Sequence, residues 1–168
     1  MLHILCEEDR LRFVLVGQDG RREMLKVDDG DDVLLYFHGG ASGVQGGRFA
    51  RERFEAGDPL AYGHFWSRIA DPTQTIEKYG AVVPFVSLLS GVLSRARRAY
   101  GVRYPAEGRD AESGVPVRTT FVPGIPDAAR GVFREHLAAN GLVVEEARSA
   151  RTTAAVGDER SEERRVGK

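Results

Sequence analysis

Apolar and polar residues alternate along the first part of the chain in a way that is typical of β-strands. Leu2–Cys6 and Leu11–Gly17 are the first two apolar runs, and the Asp-Gly pair that follows them is a hairpin signal. Arg22–Val27 alternates and leads into a second turn, DDGDD, before Val33–His38 forms the third apolar run. The pattern therefore predicts a three-stranded meander over residues 2 to 38.

The second half of the chain alternates between helix and strand patterns. An amphipathic helix is predicted over Val86–Ala99, with its end at Tyr100-Gly101. A second helix is predicted over Ala128–Ala139, with Asp127 as its N-cap. Two further runs have the pattern of strands, Val115–Val122 and Leu142–Glu146. Helices that alternate with strands indicate an α/β unit with parallel strands.

Shorter elements connect these halves. A short helix or strand-to-helix corner is predicted over Arg48–Pro59, and a small strand or hairpin over Ile76–Pro84. Between them, the aromatic run around Phe65 and Trp66 is expected to pack a short helix into the core. The polar stretch Arg103–Gly114 is expected to be a loop.

A glycine-rich stretch, GGASGVQGG at Gly39–Gly47, raises the question of phosphate binding. A P-loop needs a glycine followed by Lys and then Ser or Thr, and this stretch has no such pair. Its Gly40, Gly43 and Gly46 have the spacing G-x-x-G-x-x-G, whereas a dinucleotide loop needs G-x-G-x-x-G. We therefore predict a turn or hairpin between strands here.

Composition narrows the class of protein. The 168 residues suffice for one domain, with 42% apolar and 29% charged residues, as in a soluble globular protein. The net charge of −1 gives no general reason to expect nucleic acid or an anionic membrane as partner. No apolar run approaches the roughly 20 residues that span a bilayer, and no signal peptide is recognisable, so a cytoplasmic location is expected.

Residues with catalytic or metal-binding chemistry form no motif. The four histidines and the single cysteine, Cys6, lack the spacing of a zinc site or of H-E-x-x-H. The acidic pairs Asp28-Asp29 and Asp31-Asp32 lack the spacing of an EF-hand and are expected to be a solvated turn. No catalytic and no metal-binding residue is therefore predicted.

Four stretches in order resemble the seventy-kilodalton heat-shock chaperones of the actin-like ATPase superfamily. Ile4–Gly20 corresponds to a strand, a D-x-G-T-T loop, a second strand and an N-G turn. The spacing from Pro59 to Arg68 matches that from an N-P pair to a helix ending K-R-L-I. The remaining counterparts are the helix Val86–Tyr100 followed by TTFVP, and then PDAAR, NGL and ARTTAA, which ends at Ala155.

The resemblance implies an α/β fold, the N-terminal lobe of an actin-like ATPase (ribonuclease H-like), over residues 1–156. Its mixed sheet would open with an antiparallel meander, and helices would pack on it. Residues 157–168 are almost devoid of apolar side chains and are expected to be a disordered, non-native tail. A longer parent protein is expected, with ATP and magnesium as its cofactors and a missing second lobe or protein partner.

The residues expected to form the nucleotide site depart from the family pattern. The positions that match the phosphate site are Cys6, Glu8, Asp9, Arg10, Ser67 and Arg68. Glu8 stands where the family has a glycine, Ser67 where it has the phosphate-contacting lysine, and Ala150 where it has a glutamate. These departures predict a chain that does not hydrolyse ATP by itself and binds no cofactor alone.

A second hypothesis stays open from the sequence. The chain can also be interpreted as a standalone protein-interaction module with no nucleotide. The aromatic pair Phe65-Trp66 and the basic helix end Arg95–Arg98 would then be its contact residues.

Overall fold

The computed structural model describes residues 1–28, 30–105 and 114–145. Within them the chain has an α/β fold. The strands are β1 Leu2–Cys6, β2 Arg10–Val16, β3 Arg22–Met24, β4 Asp32–Leu34, β5 Phe37–His38, β6 Gln45–Gly46, β7 Ala61–Tyr62, β8 Thr75–Lys78, β9 Ala81–Pro84, β10 Val115–Phe121 and β11 Leu142–Val144. The helices are α1 Arg48–Glu55, α2 Phe65–Ile69, α3 Ser87–Arg103 and α4 Asp127–Ala139.

The central sheet is mixed, and β1 lies in its middle. The strand order is β11-β10-β1-β2-β3, with β4 also paired to β2. Ile4 of β1 lies opposite Phe13 of the antiparallel β2 and opposite Thr119 of the parallel β10. Strand β11 is parallel to β10 as well. The antiparallel start of the predicted meander and the predicted parallel strands are therefore confirmed, and they lie on opposite sides of β1.

The core lies between one face of this sheet and the helices. Along β1, Leu2, Ile4 and Cys6 are buried, whereas the alternate residues His3 and Leu5 are partly exposed, as the period of a strand requires. Buried residues of the helices complete this core, among them Trp66, Leu89, Leu93, Phe133 and Leu137. Removal of this apolar surface from water is the main stabilising contribution to the fold.

The prediction of one strand over Val33–His38 is wrong. β4 ends at Leu34 beside β2, and β5 then belongs to a separate sheet with β6 and β7. The reason is packing, because the ring of Phe37 contacts the rings of Phe65 and Phe85, with centroids 5.9 and 6.0 Å away. These aromatic contacts direct the second half of the apolar run away from the central sheet.

Two predicted helix boundaries are also wrong. Helix α3 continues past Tyr100-Gly101 to Arg103, since Tyr100 is buried and its ring packs against Tyr104 at 5.1 Å. The N-cap of α4 is Pro126, and Asp127 is the first helical residue, with no side-chain capping bond. Its carboxylate still lies in the first turn, where the helix dipole favours a negative charge.

The glycine-rich stretch is a hairpin that packs closely against another hairpin. His38 of β5 pairs with Gln45 of β6, which confirms the predicted hairpin. Gly39 lies against hairpin β8–β9, where an added Cβ would be 2.6 Å from the Glu77 carbonyl oxygen. Gly43, at φ 113°, lies beside the ring of Tyr79. Side chains at either glycine would collide with this hairpin, so the glycines serve packing.

Some predictions fall on parts of the chain outside the described residues. These are most of the polar loop Arg103–Gly114, the end of the last strand at Glu146, the position Ala150 and the tail 157–168.

Candidate functional site

The carboxyl ends of the parallel strands β1 and β10 lie side by side. Cys6 and Phe121, the last residues of these strands, are direct neighbours in the sheet. The Val122 N–H donates a hydrogen bond to the Cys6 carbonyl at 3.0 Å, so the two turns that follow the strands adjoin. Ligand sites of α/β proteins typically lie at this end of the strands. We refer to the β1–β2 turn, Glu7–Asp9, and the β10–α4 turn, Val122–Pro126, as the carboxyl edge.

The β1–β2 turn is fixed by backbone and side-chain hydrogen bonds. The Glu7 N–H donates to the Arg10 carbonyl at 3.0 Å, which closes the turn. The Leu35 N–H donates to the Asp9 carbonyl at 2.8 Å, and the Trp66 Nε1–H donates to the Glu7 carbonyl at 2.8 Å. Leu35, which directly follows β4, and Trp66 of α2 therefore both anchor the turn.

Ion pairs join the charged residues of this turn to β2 and β4. Arg10 contacts Asp9 through Nε and Asp32 through Nη1, each at 3.0 Å. The Arg12 Nε lies 3.0 Å from Asp32 and 3.4 Å from Glu7. The hydrogen bond from Arg10 lowers the pKa of Asp9 below its ordinary value. Both arginines are therefore already paired with carboxylates, and we refer to these five residues as the ion-pair network.

The Glu8 carboxylate lies over the neighbouring turn. Its Oε1 would be 3.1 Å from a Cβ added to Gly124, so Glu8 and the β10–α4 turn are in close contact. A carboxylate at this point repels an anionic group that approaches the two turns. Glu8 therefore disfavours a phosphate at this point, although a cation also lies at the edge, where the Arg130 Nε donates to the Ile125 carbonyl at 3.0 Å.

The structure brings four of the six predicted site residues together. Cys6, Glu8, Asp9 and Arg10 all lie in or next to the β1–β2 turn, although the Cys6 side chain is buried in the core. From α2 it is Trp66 that contacts the turn, through its bond to the Glu7 carbonyl. The burial of Phe65 and Trp66 confirms their predicted core role and contradicts the alternative in which they form an exposed contact surface. A buried indole N–H usually has an acceptor, so a bond from Trp66 was to be expected.

The other two predicted site residues bond within their own segment. The Ser67 hydroxyl donates to the His64 carbonyl at 2.9 Å. The Arg68 Nε donates to the Gly63 carbonyl at 2.7 Å, Nη1 donates to Gln74 at 3.0 Å, and the guanidinium lies over the Tyr62 ring at 4.9 Å. Arg68 thus stabilises the connection between α2 and β8, a role that the sequence did not reveal.

A second polar pair lies beside the glycine-rich hairpin. The His38 Nε2 is 3.1 Å from a carboxylate oxygen of Asp58, and both side chains are mostly buried. The pKa of Asp58 is lowered, mainly by the hydrogen bond that it accepts from the Leu60 N–H and also by His38. The pair joins β5 to the loop before β7. The sequence shows His38 directly before the glycines, but it does not show that the imidazole pairs with Asp58.

Metal-binding clusters and membrane-spanning helices are both absent from the described residues. Within residues 1–28, 30–105 and 114–145, no group of three or more His, Cys, Asp or Glu side chains is arranged to hold a metal ion. No helix in the same part of the chain is both long enough and apolar enough to cross a membrane.

The ion-pair network predicts a pH-dependent cost for Asp9→Asn. Because the pKa of Asp9 is lowered in the folded protein, its ion pair stabilises the fold above the unfolded pKa of 3.8 and is lost as pH falls through the lower folded value. At neutral pH we expect the substitution to cost up to about 1 kcal/mol of unfolding free energy. Melting curves from about pH 7 to about pH 2 should show the difference from wild type disappearing in acid.

Asp31→Asn is the matched control, since Asp31 is exposed and belongs to none of these ion pairs. A difference between Asp9→Asn and wild type that persists unchanged to the lowest pH would contradict the role of the Asp9–Arg10 pair.

Comparison with known proteins gives no family. No family model matches this chain, and no curated protein matches it significantly. The functional interpretation therefore depends on the strand order and on the geometry of the carboxyl edge.

Proposed function

We propose that the chain is a divergent lobe of the actin-like ATPase type, related to the seventy-kilodalton chaperones, that does not hydrolyse ATP by itself. One observation carries this proposal. The β1–β2 turn, which the resemblance aligns with the family's phosphate loop, lies at the carboxyl end of a central strand with antiparallel strands on one side and parallel strands on the other. A mixed sheet opened by a meander is what the resemblance implies for the lobe.

The charges of the turn support the loss of hydrolysis. A phosphate loop offers free backbone N–H groups and small residues, so that the phosphate can approach closely. Here the Glu7 N–H is bonded to Arg10, and Glu8 occupies the position of the family's glycine. The position of the family's lysine holds Ser67, whose hydroxyl is bonded to His64. One N–H of the turn is therefore already used, and the glycine and the lysine of the family's phosphate site are both replaced.

ATP and magnesium would act only where this lobe is joined by a second one. In the family that the chain resembles, the nucleotide lies between two lobes, and one lobe forms only half of its walls. We therefore propose that this lobe works with a second lobe or with a protein partner. The chain alone would act as a scaffold for that contact.

The phosphate site can be tested by restoring two of the three lost residues, those at positions 8 and 67. Magnesium tripolyphosphate is the probe, because it needs only the phosphate-contacting part of the site. We expect no change in the melting temperature of the wild-type chain at about 5 mM probe. The double substitution Glu8→Gly with Ser67→Lys should respond with an upward shift of about 2–4 °C, because it removes a repelling carboxylate and supplies a cation.

The control is Glu8→Gln with Ser67→Ala, which removes the charge and the hydroxyl but supplies neither the glycine nor the lysine. An equal response of both double variants would contradict the phosphate-loop assignment. A folded Glu8→Gly, Ser67→Lys variant with no response would favour the standalone interaction module instead. Release of phosphate from ATP by the wild-type chain alone would overturn the proposed loss of hydrolysis.

A further inference from the structure

We propose that the outer edge of strand β9 pairs with the same strand of a second copy of this chain, antiparallel and centred on Val82. This self-association does not depend on the proposed function, because hairpin β8–β9 is separate from the carboxyl edge. Three features carry it: the direction of the backbone groups, the exposed apolar side chains and the absence of charge on the strand.

The backbone groups of Val82 point away from β8. In hairpin β8–β9, Val82 lies directly opposite Glu77. The Glu77 carbonyl accepts a hydrogen bond from the Gly40 N–H, and the Tyr79 N–H donates to the Gly40 carbonyl, each at 3.0 Å. β8 therefore uses the polar groups of Glu77 on the side remote from β9. Because opposite residues of an antiparallel ladder share their bonding state, the N–H and C=O of Val82 also point outward.

The side chains on this edge are exposed and uncharged. Val82 is 73% exposed, and Tyr79 at the tip of the hairpin is 71% exposed. Strand β9, Ala81–Pro84, contains no charged residue. Edge strands of soluble proteins usually carry charges, prolines or bulges that prevent pairing with another chain. Here only Pro84 at the end of the strand has this effect, and the part nearer the tip is left able to pair.

A second copy is the partner that this edge fits. A two-fold axis at Val82 lets each Val82 N–H donate to the Val82 carbonyl of the other copy, which satisfies both outward groups. Ala81 then lies opposite Val83 of the other copy, so apolar residues face apolar residues. The nearest charged residues, Glu77 and Lys78, lie on β8, one strand away from the seam, so no like charges are opposed.

The β9–β9 contact between two copies is short, so the dimer is expected to be weak. Pro84 has no N–H, so the ladder cannot extend beyond it. Only the two Val82 residues form a complete pair of hydrogen bonds across the seam, so we expect a weak dimer that forms as the protein concentration rises.

Cysteine cross-linking tests the geometry. In the paired arrangement the two Val82 Cα atoms lie about 5.5 Å apart, a distance that a disulfide spans. Val82→Cys should therefore form a disulfide-linked dimer at least about ten times faster than Val102→Cys under the same mild oxidation. Val102 is the matched control because it is also a valine, 78% exposed, on α3. The native Cys6 is buried, which limits its contribution.

Concentration dependence provides an independent measurement. Sedimentation of the full chain should show an average mass that rises with concentration for wild type and for Val82→Thr, which keeps the branched strand residue. Val82→Lys should remain monomeric over the same range, because it places two like charges on the axis. Equal cross-linking rates at positions 82 and 102 would overturn the proposal. So would a monomeric wild type at the highest concentration, or equal association of the Thr and Lys variants.

Discussion

Replacement of Phe133 by alanine is expected to lower the free energy of unfolding by about 3–5 kcal/mol, as for other buried phenylalanines. Phe133 is fully buried in α4. Its ring lies 5.4 Å from that of Trp66 in α2 and 5.7 Å from that of Phe121 at the end of β10. The substitution would leave a cavity where a helix, a second helix and the carboxyl end of a parallel strand meet.

Urea denaturation followed by Trp66 fluorescence measures this loss, because the only tryptophan of the chain lies beside the cavity. Phe133→Leu should cost less, about 1.5 kcal/mol, since it retains most of the apolar volume. Phe49→Ala is the control for the loss of an aromatic side chain from the surface, as Phe49 is 41% exposed. An equal cost for Phe133→Ala and Phe49→Ala would contradict the described core.

Gly39→Ala is expected to cost about 1–3 kcal/mol, the range for overpacking. The added Cβ would lie 2.6 Å from both the Glu77 carbonyl oxygen and Ile76 Cγ1, so hairpin β8–β9 would have to move. A backbone oxygen and a buried side chain cannot shift easily, which makes the cost larger than that of a change at the surface.

The neighbouring glycine is a close control for this substitution. Nothing lies within 4 Å of a Cβ added to Gly40, and its φ is not in the left-handed region. Chemical denaturation of Gly40→Ala should therefore give a stability within about 0.5 kcal/mol of wild type. If Gly39→Ala and Gly40→Ala were equally stable, the close approach of the two hairpins would be refuted.

Regular alternation made the central sheet predictable. β1 and β2 follow a period of two and pair antiparallel, and the helix and strand patterns of the second half fold as the parallel unit that they indicate. The split of Val33–His38 into two sheets could not be predicted in this way. It depends on contacts of Phe37 with aromatic rings far along the chain, and the local pattern of apolar residues carries no information on them.

The position of the β1–β2 turn was easier to predict than the ion pairs that its residues form. The resemblance placed the β1–β2 turn at the end of a strand, and the structure places that turn beside the end of β10. The ion-pair network depends on Asp32, which lies opposite Arg12 only because of the register between β2 and β4. Register is a product of the whole sheet, so the pairing of Arg10 and Arg12 was not visible in the sequence.

The glycine-rich stretch resembles a phosphate-binding loop in composition, but its glycines allow close packing instead. Five glycines in nine residues drew attention to phosphate, but their spacing failed the known motifs. In the structure, Gly39 and Gly43 let two hairpins approach closely. Gly39 and Gly43 therefore lack side chains because they pack against Ile76, Glu77 and Tyr79, and not because they bind a phosphate.

The central claim is that the carboxyl edge of the wild-type chain binds no phosphate. Amide NMR during a titration with ATP and magnesium tests this claim most directly. The backbone N–H groups of Glu7–Arg10, Val122, Gly124, Ile125 and Asp127 report on the two turns where a phosphate would bind. We predict that their chemical shifts stay unchanged up to about 5 mM nucleotide, because carboxylates and internal hydrogen bonds occupy this edge. Saturable shifts confined to these amides would contradict a closed edge and would establish a phosphate site in the wild-type chain.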